Sequence, residues 1–380
     1  MLPYWRLAAC YLTYFGAVGA LLPFWGLYLQ SCGFDALAVG QLMAIMSGTK
    51  IIAPMVWGHW VDRSGRRMPL VRLAALGTVL VFGAVFYVDH FWTMAVAMAL
   101  FSFFSNAALP QLDAVTFNHL GARVARYARV RVWGSVGFIL VVSALGQHLE
   151  HSPLASVPVW IMVLYLGNWF STLLVPDSPP VPGAVQAASL HRLLRLPEVL
   201  ALLGASFLMQ TSFGIYYAFY SIDLKAAGYS TGAVGALWML GVVAEVLVFL
   251  FMHRLHARFG ARLVLLWSLG LAAVRWLLIG AFIDSLPVQV FAQTLHAASF
   301  GTFHAAAIHL IHHYFPGRTQ GRGQALYSSL SFGAGGAVGS LIGGALWVTP
   351  GPFAAFAVGS VATLIGFWAV WRWVDLGRRY

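Results

Sequence analysis

Charge is what this chain has least of. Only 9% of its 380 residues are Asp, Glu, Lys or Arg, whereas soluble domains carry about 25%. No segment is long and polar enough to form a separate soluble domain, which argues against a sensor built on an added receptor module. No nucleophile, base and metal-ligand arrangement stands out, which argues against an enzyme. Cysteine is nearly missing. Cys10 and Cys32 both fall on the first apolar stretch. Their separation along a helix is about 33 Å, far beyond disulfide reach. A cleavable signal is not evident either, because the first apolar run continues to Leu29, longer than a signal h-region.

Hydrophobicity is what is present. The chain is 60% hydrophobic and 15% aromatic, with 15 tryptophans, many near the ends of apolar runs as interfacial belts require. Twelve runs predict transmembrane helices, over residues 7–29, 37–58, 69–88, 91–118, 132–149, 157–175, 198–222, 231–252, 262–283, 286–314, 323–348 and 351–373. The expected fold is an all-α membrane protein of two pseudo-symmetric six-helix bundles. Residues 1–175 form the first and 197–380 the second. The Pro-rich stretch 176–196 joins them as a flexible cytoplasmic linker.

The halves echo one another. Gly33-Phe34 and Ala38-Val39-Gly40 match Gly228-Tyr229 and Ala233-Val234-Gly235 without a gap, 195 positions apart. In that register Glu245, the lone charge of TGAVGALWMLGVVAEVLVFL, falls on Lys50, another lone charge in an apolar run. A duplicated unit with a charge at the same depth in each copy predicts a transporter with its site between the halves.

The net charge of +11 comes from short loops. Arginines such as Arg6, Arg63, Arg126, Arg192, Arg258, Arg318 and Arg378 gather at alternate span ends. Asp35, Asp89, Glu150, Asp223 and Asp284 lie at the opposite ends. The positive-inside rule then places both termini in the cytoplasm. The basic surplus is topological and lipid-facing, including Arg123, Arg126 and Arg129, and no nucleic-acid partner is expected. Inside the spans remain Lys50, Asp113, Glu245 and Arg275, with Arg131 at the start of the fifth. Ionisable groups in a bilayer are costly and are candidate functional sites.

After the second span comes Gly58-His59-Trp60-Val61-Asp62-Arg63-Ser64-Gly65-Arg66-Arg67. Gly58 permits close helix approach. Asp62 can bond a neighbouring helix end or arginine and hold one side shut, and Arg63, Arg66 and Arg67 anchor the topology. The alternative is that the motif serves topology alone. The motif resembles, at every fixed position, the loop signature G-x-x-x-D-R-x-G-R-R of the major facilitator superfamily. The second copy, His253 to Arg262, keeps Arg258, Gly260 and Arg262 but has Ala257 for the aspartate.

A finer resemblance rests on Leu109-Pro110-Gln111-Leu112-Asp113-Ala114, Val130-Arg131-Val132-Trp133-Gly134-Ser135, Ala226-Ala227-Gly228-Tyr229-Ser230, Leu240-Gly241-Val242-Val243-Ala244-Glu245-Val246 and Val274-Arg275-Trp276. These look like the 3-phenylpropionate permease family, which is similar to lactose permease and to nucleoside–proton symporters. The resemblance implies proton-driven uptake across the bacterial inner membrane. It implies that Asp113 and Arg131 meet as a substrate-binding pair, that Glu245 binds substrate and that Arg275 assists proton release. His296 matches a tenth-span histidine. Ser299 stands where lactose permease has its proton-carrying glutamate, so that role does not carry over.

A carboxyl shut away from water holds its proton more tightly, and an arginine brought near releases it. Glu245 or Asp113 can therefore load a proton, with Arg275 or Lys50 as mobile counter-charge; a structural salt bridge is the plainer alternative. Histidine titrates near neutral pH, so His296 and His304 can share the proton or be satisfied core residues. Lys50, Arg131 and Arg275 outnumber Asp113 and Glu245. A spare positive charge suits a carboxylate substrate. Trp25, Tyr28, Tyr216, Tyr217, Trp238 and Trp276 offer faces for an aromatic ring, or simply pack.

Two patterns are set aside. Gly335, Gly339 and Gly343 form a packing stripe with no nucleotide-loop lysine after it. His309, His312 and His313 read as a basic interfacial edge, not a metal site. The expectation is a monomeric proton-coupled symporter for a small, aromatic organic acid, without cofactor or metal, working by alternating access in the bilayer. A sugar or nucleoside symporter is the alternative. A drug–proton antiporter ranks third, since the fifth span lacks the Gly-Pro pair that marks antiporters of this superfamily.

Overall fold

The computed structural model describes residues 3–88, 90–121, 123, 126–177, 193–315 and 319–374, apart from the side chain of Asp62. Asp89, Arg192, Arg318, Arg378 and most of the linker 176–196 lie outside the described residues. The described residues are helices and their connections: α1 (Tyr4–Ser31), α2 (Ala36–Ser64), α3 (Met68–Phe82), α4 (Phe91–Leu120), α5 (Tyr127–His148), α6 (Val157–Leu174), α7 (Pro197–Ala226), α8 (Thr231–Phe249) and α9 (Met252–Ala281). Next, α10 (Leu286–His296) runs through a π-helical turn, Ala297–Gly301, into α11 (Thr302–Tyr314). Another π turn, Ser329–Gly335, joins α12 (Gln320–Ser328) to α13 (Gly336–Leu346), and α14 (Pro352–Trp373) follows. Among the described residues 11 stretches are long and apolar enough to cross a membrane. The tenth span, α10 with α11, completes the expected twelve despite its π turn.

The repeat seen in the sequence is also written in the backbone. Gly33 and Gly228 sit at φ 89° and 87°, and Gly65 and Gly260 at 65° and 74°. Each pair is 195 positions apart. A positive φ is strained for any residue with a Cβ, so glycine stands where the chain turns sharply, after a helix at Gly33, Gly65 and Gly228 and at a break within α9 at Gly260. The caps repeat too. Asp35 Oδ1 accepts from Ala38 N at 2.8 Å, and Ser230 Oγ accepts from Ala233 N at 3.1 Å, opening α2 and α8.

By contacts the chain divides into two units, Met1–Gly183 with Ser230–Met239, and Ala184–Tyr229 with Leu240–Tyr380. Within the first, α1 packs on α5 and α6, and α3 on α4 and α6. Within the second, α7 packs on α13 and α14, and α9 on α11 and α14. Small residues set the closest approaches. A Cβ at Gly19 would lie 2.8 Å from Phe138 O, and one at Gly335 2.5 Å from Phe207 O. Residues 230–239 join the first unit through similar contacts: a Cβ at Gly235 would lie 2.6 Å from Val142 O. Glu150 Oε1 accepts there from Ser230 Oγ at 2.6 Å and Gly232 N at 3.2 Å.

Two expectations need correction. The signature after the second span is mostly helix, because α2 continues to Ser64 and ends only at the left-handed Gly65. A Cβ at Gly58 would meet nothing within 4 Å, so this glycine mediates no close helix contact. Arg63 and Arg66 are exposed. Arg67 Nη1 donates to Gln111 Oε1 at 3.3 Å, tying the α2–α3 turn to α4. Arg72 Nη2 donates to Val175 O at 2.8 Å, and Arg262 Nη2 to Trp371 O at 2.7 Å. Arg72 and Arg262 do more than mark topology: they satisfy carbonyls that helix C-termini leave open.

Candidate functional site

Each unit holds its own buried polar cluster. In the first, Asp113 lies on α4, and its Oδ1 accepts from Tyr11 Oη at 2.5 Å and from Tyr127 Oη at 2.8 Å. Tyr11 is wholly buried and lies 3.1 Å from Thr116 Oγ1, which donates to Leu112 O. Tyr127 opens α5 and stacks on Phe117 at 4.5 Å between ring centroids. Arg131 follows Tyr127 by one helical turn, yet its guanidinium lies 3.8 Å over the Phe15 ring and not against Asp113. Gly134 leaves the room: a Cβ there would be 2.5 Å from Arg131 Nη1 and 2.7 Å from Phe15 Cδ2. The expected Asp113–Arg131 ion pair is therefore not formed, because two hydroxyls already hold the carboxylate. The two residues still share a neighbour, since the guanidinium lies 5.8 Å from the Tyr11 ring centre.

In the second unit, Glu245 on α8 and His296 at the end of α10 approach to 3.5 Å, Oε2 to Nε2. His296 Nδ1 is buried without a hydrogen-bond partner. Its ring stacks on Phe300 at 5.4 Å, and a Cβ at Gly301 would press on Glu245 Cγ at 2.9 Å. The π turn thus brings a glycine beneath the carboxylate; such turns are frequent at functional sites. Arg275 on α9 is fully buried. Its Nε donates to Ala292 O at 3.0 Å and its Nη2 to Gln293 Oε1 at 3.2 Å, while Nη1 has no partner. The ring centres of Tyr216 and Trp276 lie 4.5 and 4.6 Å from the guanidinium carbon. Tyr216 Oη also donates to Gln293 Oε1, at 3.0 Å. Phe213 touches Trp276, His296 and Phe300, so one aromatic wall links the arginine to the histidine.

Lys50, half-buried on α2, has no charged neighbour among the described residues. Trp25 is fully buried, donates from Nε1 to Met98 Sδ at 3.5 Å and packs on Tyr28, Phe82 and Phe101. That is the surrounding of a core residue. Tyr28 and Trp238 are also buried. Ser299 Oγ donates to Leu295 O at 2.9 Å, inside its own helix. His304 Nδ1 meets Tyr327 Oη at 3.0 Å. No group of His, Cys, Asp and Glu able to hold a metal occurs among the described residues.

Sequence reasoning missed Tyr11, Tyr127, Phe15 and Gln293. Gln293 was legible in part, one turn before His296 on the same helix face. Tyr11 was not, since 102 positions separate it from Asp113.

Comparison with known proteins identifies this assembly of spans and buried charges. The family model described as MFS_1 like family matches residues 4–358. The chain belongs to the MFS_1 like family. It is a major facilitator transporter, a multi-pass membrane protein and not an enzyme. The transporter is 30% identical over 348 residues, 90% of each chain, to a probable 3-phenylpropionic acid transporter of Escherichia coli strain K12. It is 26% identical over 361 residues to the maltose permease of Geobacillus stearothermophilus, covering 94% of this chain and 91% of that one. The nucleoside transporter NupG shares its fold at a TM-score of 0.80 with 15% identity, over 98% of both chains. A bacterial homologue of the human lysosomal transporter Spinster does so at 0.68 with 13% identity, again over 98% of both.

Proposed function

We propose that this transporter is a proton-coupled symporter that imports a small organic acid, of the aromatic type represented by 3-phenylpropionate, across the bacterial inner membrane. One observation carries the reading. Lys50, Arg131 and Arg275 have no carboxylate within 4.0 Å among the described residues, while Asp113 is held by tyrosines and Glu245 faces a histidine. Cations inside spans without counter-ions favour an anionic ligand. The likeness to a probable 3-phenylpropionic acid transporter supports the same class. Lys50 or Arg131 would take the carboxylate. Glu245 with His296 would carry the proton, Arg275 promoting its release. The two halves, 1–175 and 197–380, would alternate in access as a monomer, with both termini cytoplasmic.

The alternative is a neutral sugar or nucleoside, favoured by the likeness to maltose permease. Proteoliposomes with an alkaline interior decide between them. Accumulation of labelled 3-phenylpropionate, abolished by a protonophore, is expected. Accumulation of maltose or a nucleoside without that of the acid would replace this reading with the alternative.

A further inference from the structure

Asp113 and Arg131 lie close enough to share Tyr11, yet they do not pair. Arg131 stands four residues after Tyr127, so on a helix both side chains project to one face. Tyr127 holds the aspartate that Arg131 would otherwise reach. Both tyrosine hydroxyls converge on the same oxygen, Oδ1, at 2.5 and 2.8 Å. Hydroxyls donating to a carboxylate stabilise its charge without a cation. The clamp is stiff on both sides. Tyr11 is fully buried against Thr116, and Tyr127 lies flat on Phe117, 17° from parallel. The guanidinium rests on Phe15, in the space Gly134 leaves, and makes no hydrogen bond among the described residues.

We infer that Tyr11 and Tyr127 are positioning residues that hold Asp113 away from Arg131 and so keep its guanidinium available to the carboxylate of a substrate. The inference rests on the organic-acid reading. Without the clamp, the nearest cation for Asp113 is Arg131, and a planar guanidinium meets a carboxylate with two parallel bonds. A substrate acid would then compete with an internal one. The tyrosines thus act on selectivity for anions through Asp113, without touching the ligand.

Two measurements on the purified full chain test this. One is the rate of phenylglyoxal labelling at Arg131, read by peptide mass spectrometry and independent of any substrate. The other is the affinity for 3-phenylpropionate by calorimetry. In Tyr11→Phe with Tyr127→Phe, both should fall by about tenfold, the scale of one charge-assisted bond. Adding Asp113→Asn to that background should restore both, because the competing charge is gone. Unchanged labelling, or a loss that Asp113→Asn does not reverse, overturns the inference and leaves the tyrosines a structural role. If the double variant is not monodisperse, Tyr127→Phe with and without Asp113→Asn carries the same comparison. If labelling follows the expected pattern while 3-phenylpropionate fails to bind the unaltered protein, the clamp on Asp113 stands and the acid reading falls.

Discussion

Glu245 and His296 face one another across 3.5 Å, one on α8 and the other at the last residue of α10 before its π turn. A carboxylate and an imidazole so placed are near hydrogen-bonding distance of one another. Ser299 is committed to the carbonyl of Leu295 and has no acidic group to offer. Under the proposed proton coupling, Glu245 and His296 would carry the proton in place of the position that Ser299 occupies.

Glu245→Gln should abolish gradient-driven accumulation while substrate exchange across the membrane continues. Uptake with an imposed alkaline interior, compared with counterflow without a gradient, separates the two. Retained accumulation would remove Glu245 from coupling. Gly301→Val should weaken accumulation in the same assay, since even a Cβ would press on Glu245 Cγ.

Arg275→Lys should not behave as a conservative change. An ammonium cannot span Ala292 O and Gln293 Oε1 as the guanidinium does, nor keep the same planar contact with Tyr216 and Trp276. The expected loss is about 1–3 kcal/mol of stability. It should appear as a lower melting temperature in detergent together with reduced transport. An unchanged melting temperature would show that the fork of bonds contributes little.

Two glycines on packed helices should respond in opposite directions. Gly339→Ala would drive a methyl group into the carbonyl oxygen of Thr211. Overpacking of this kind costs about 1–3 kcal/mol. Gly204→Ala meets nothing within 4 Å, and alanine in a helix gains about 0.5–1 kcal/mol over glycine. Melting temperatures of the two variants should therefore move down and up. Equal shifts would refute the α7–α13 contact as the cause.

Gly65→Ala should cost about 1–2 kcal/mol, the strain of a left-handed residue with a Cβ, and Gly260→Ala, at φ 74° and ψ 156°, about 1–3 kcal/mol, because that region is open essentially to glycine alone. Both sites are open, so no clash adds to it. A thermal melt of each, and of the pair, should give penalties that add, the larger at Gly260.

The sequence alone determined the spans, the internal repeat and the family, because these rest on local quantities. Whether about 20 residues cross a bilayer depends on their own summed transfer free energy. Whether the chain turns at Gly33, Gly65, Gly228 and Gly260 depends on those residues having no Cβ. Partners were another matter. That Asp113 answers to Tyr11 and Tyr127, that Arg275 leans on Gln293, and that Glu245 meets His296 follow from the rotation of each helix about its axis. Packing between residues far apart in the chain sets that rotation. It brings Tyr11 to Asp113 across 102 positions, and only the tertiary structure carries that information.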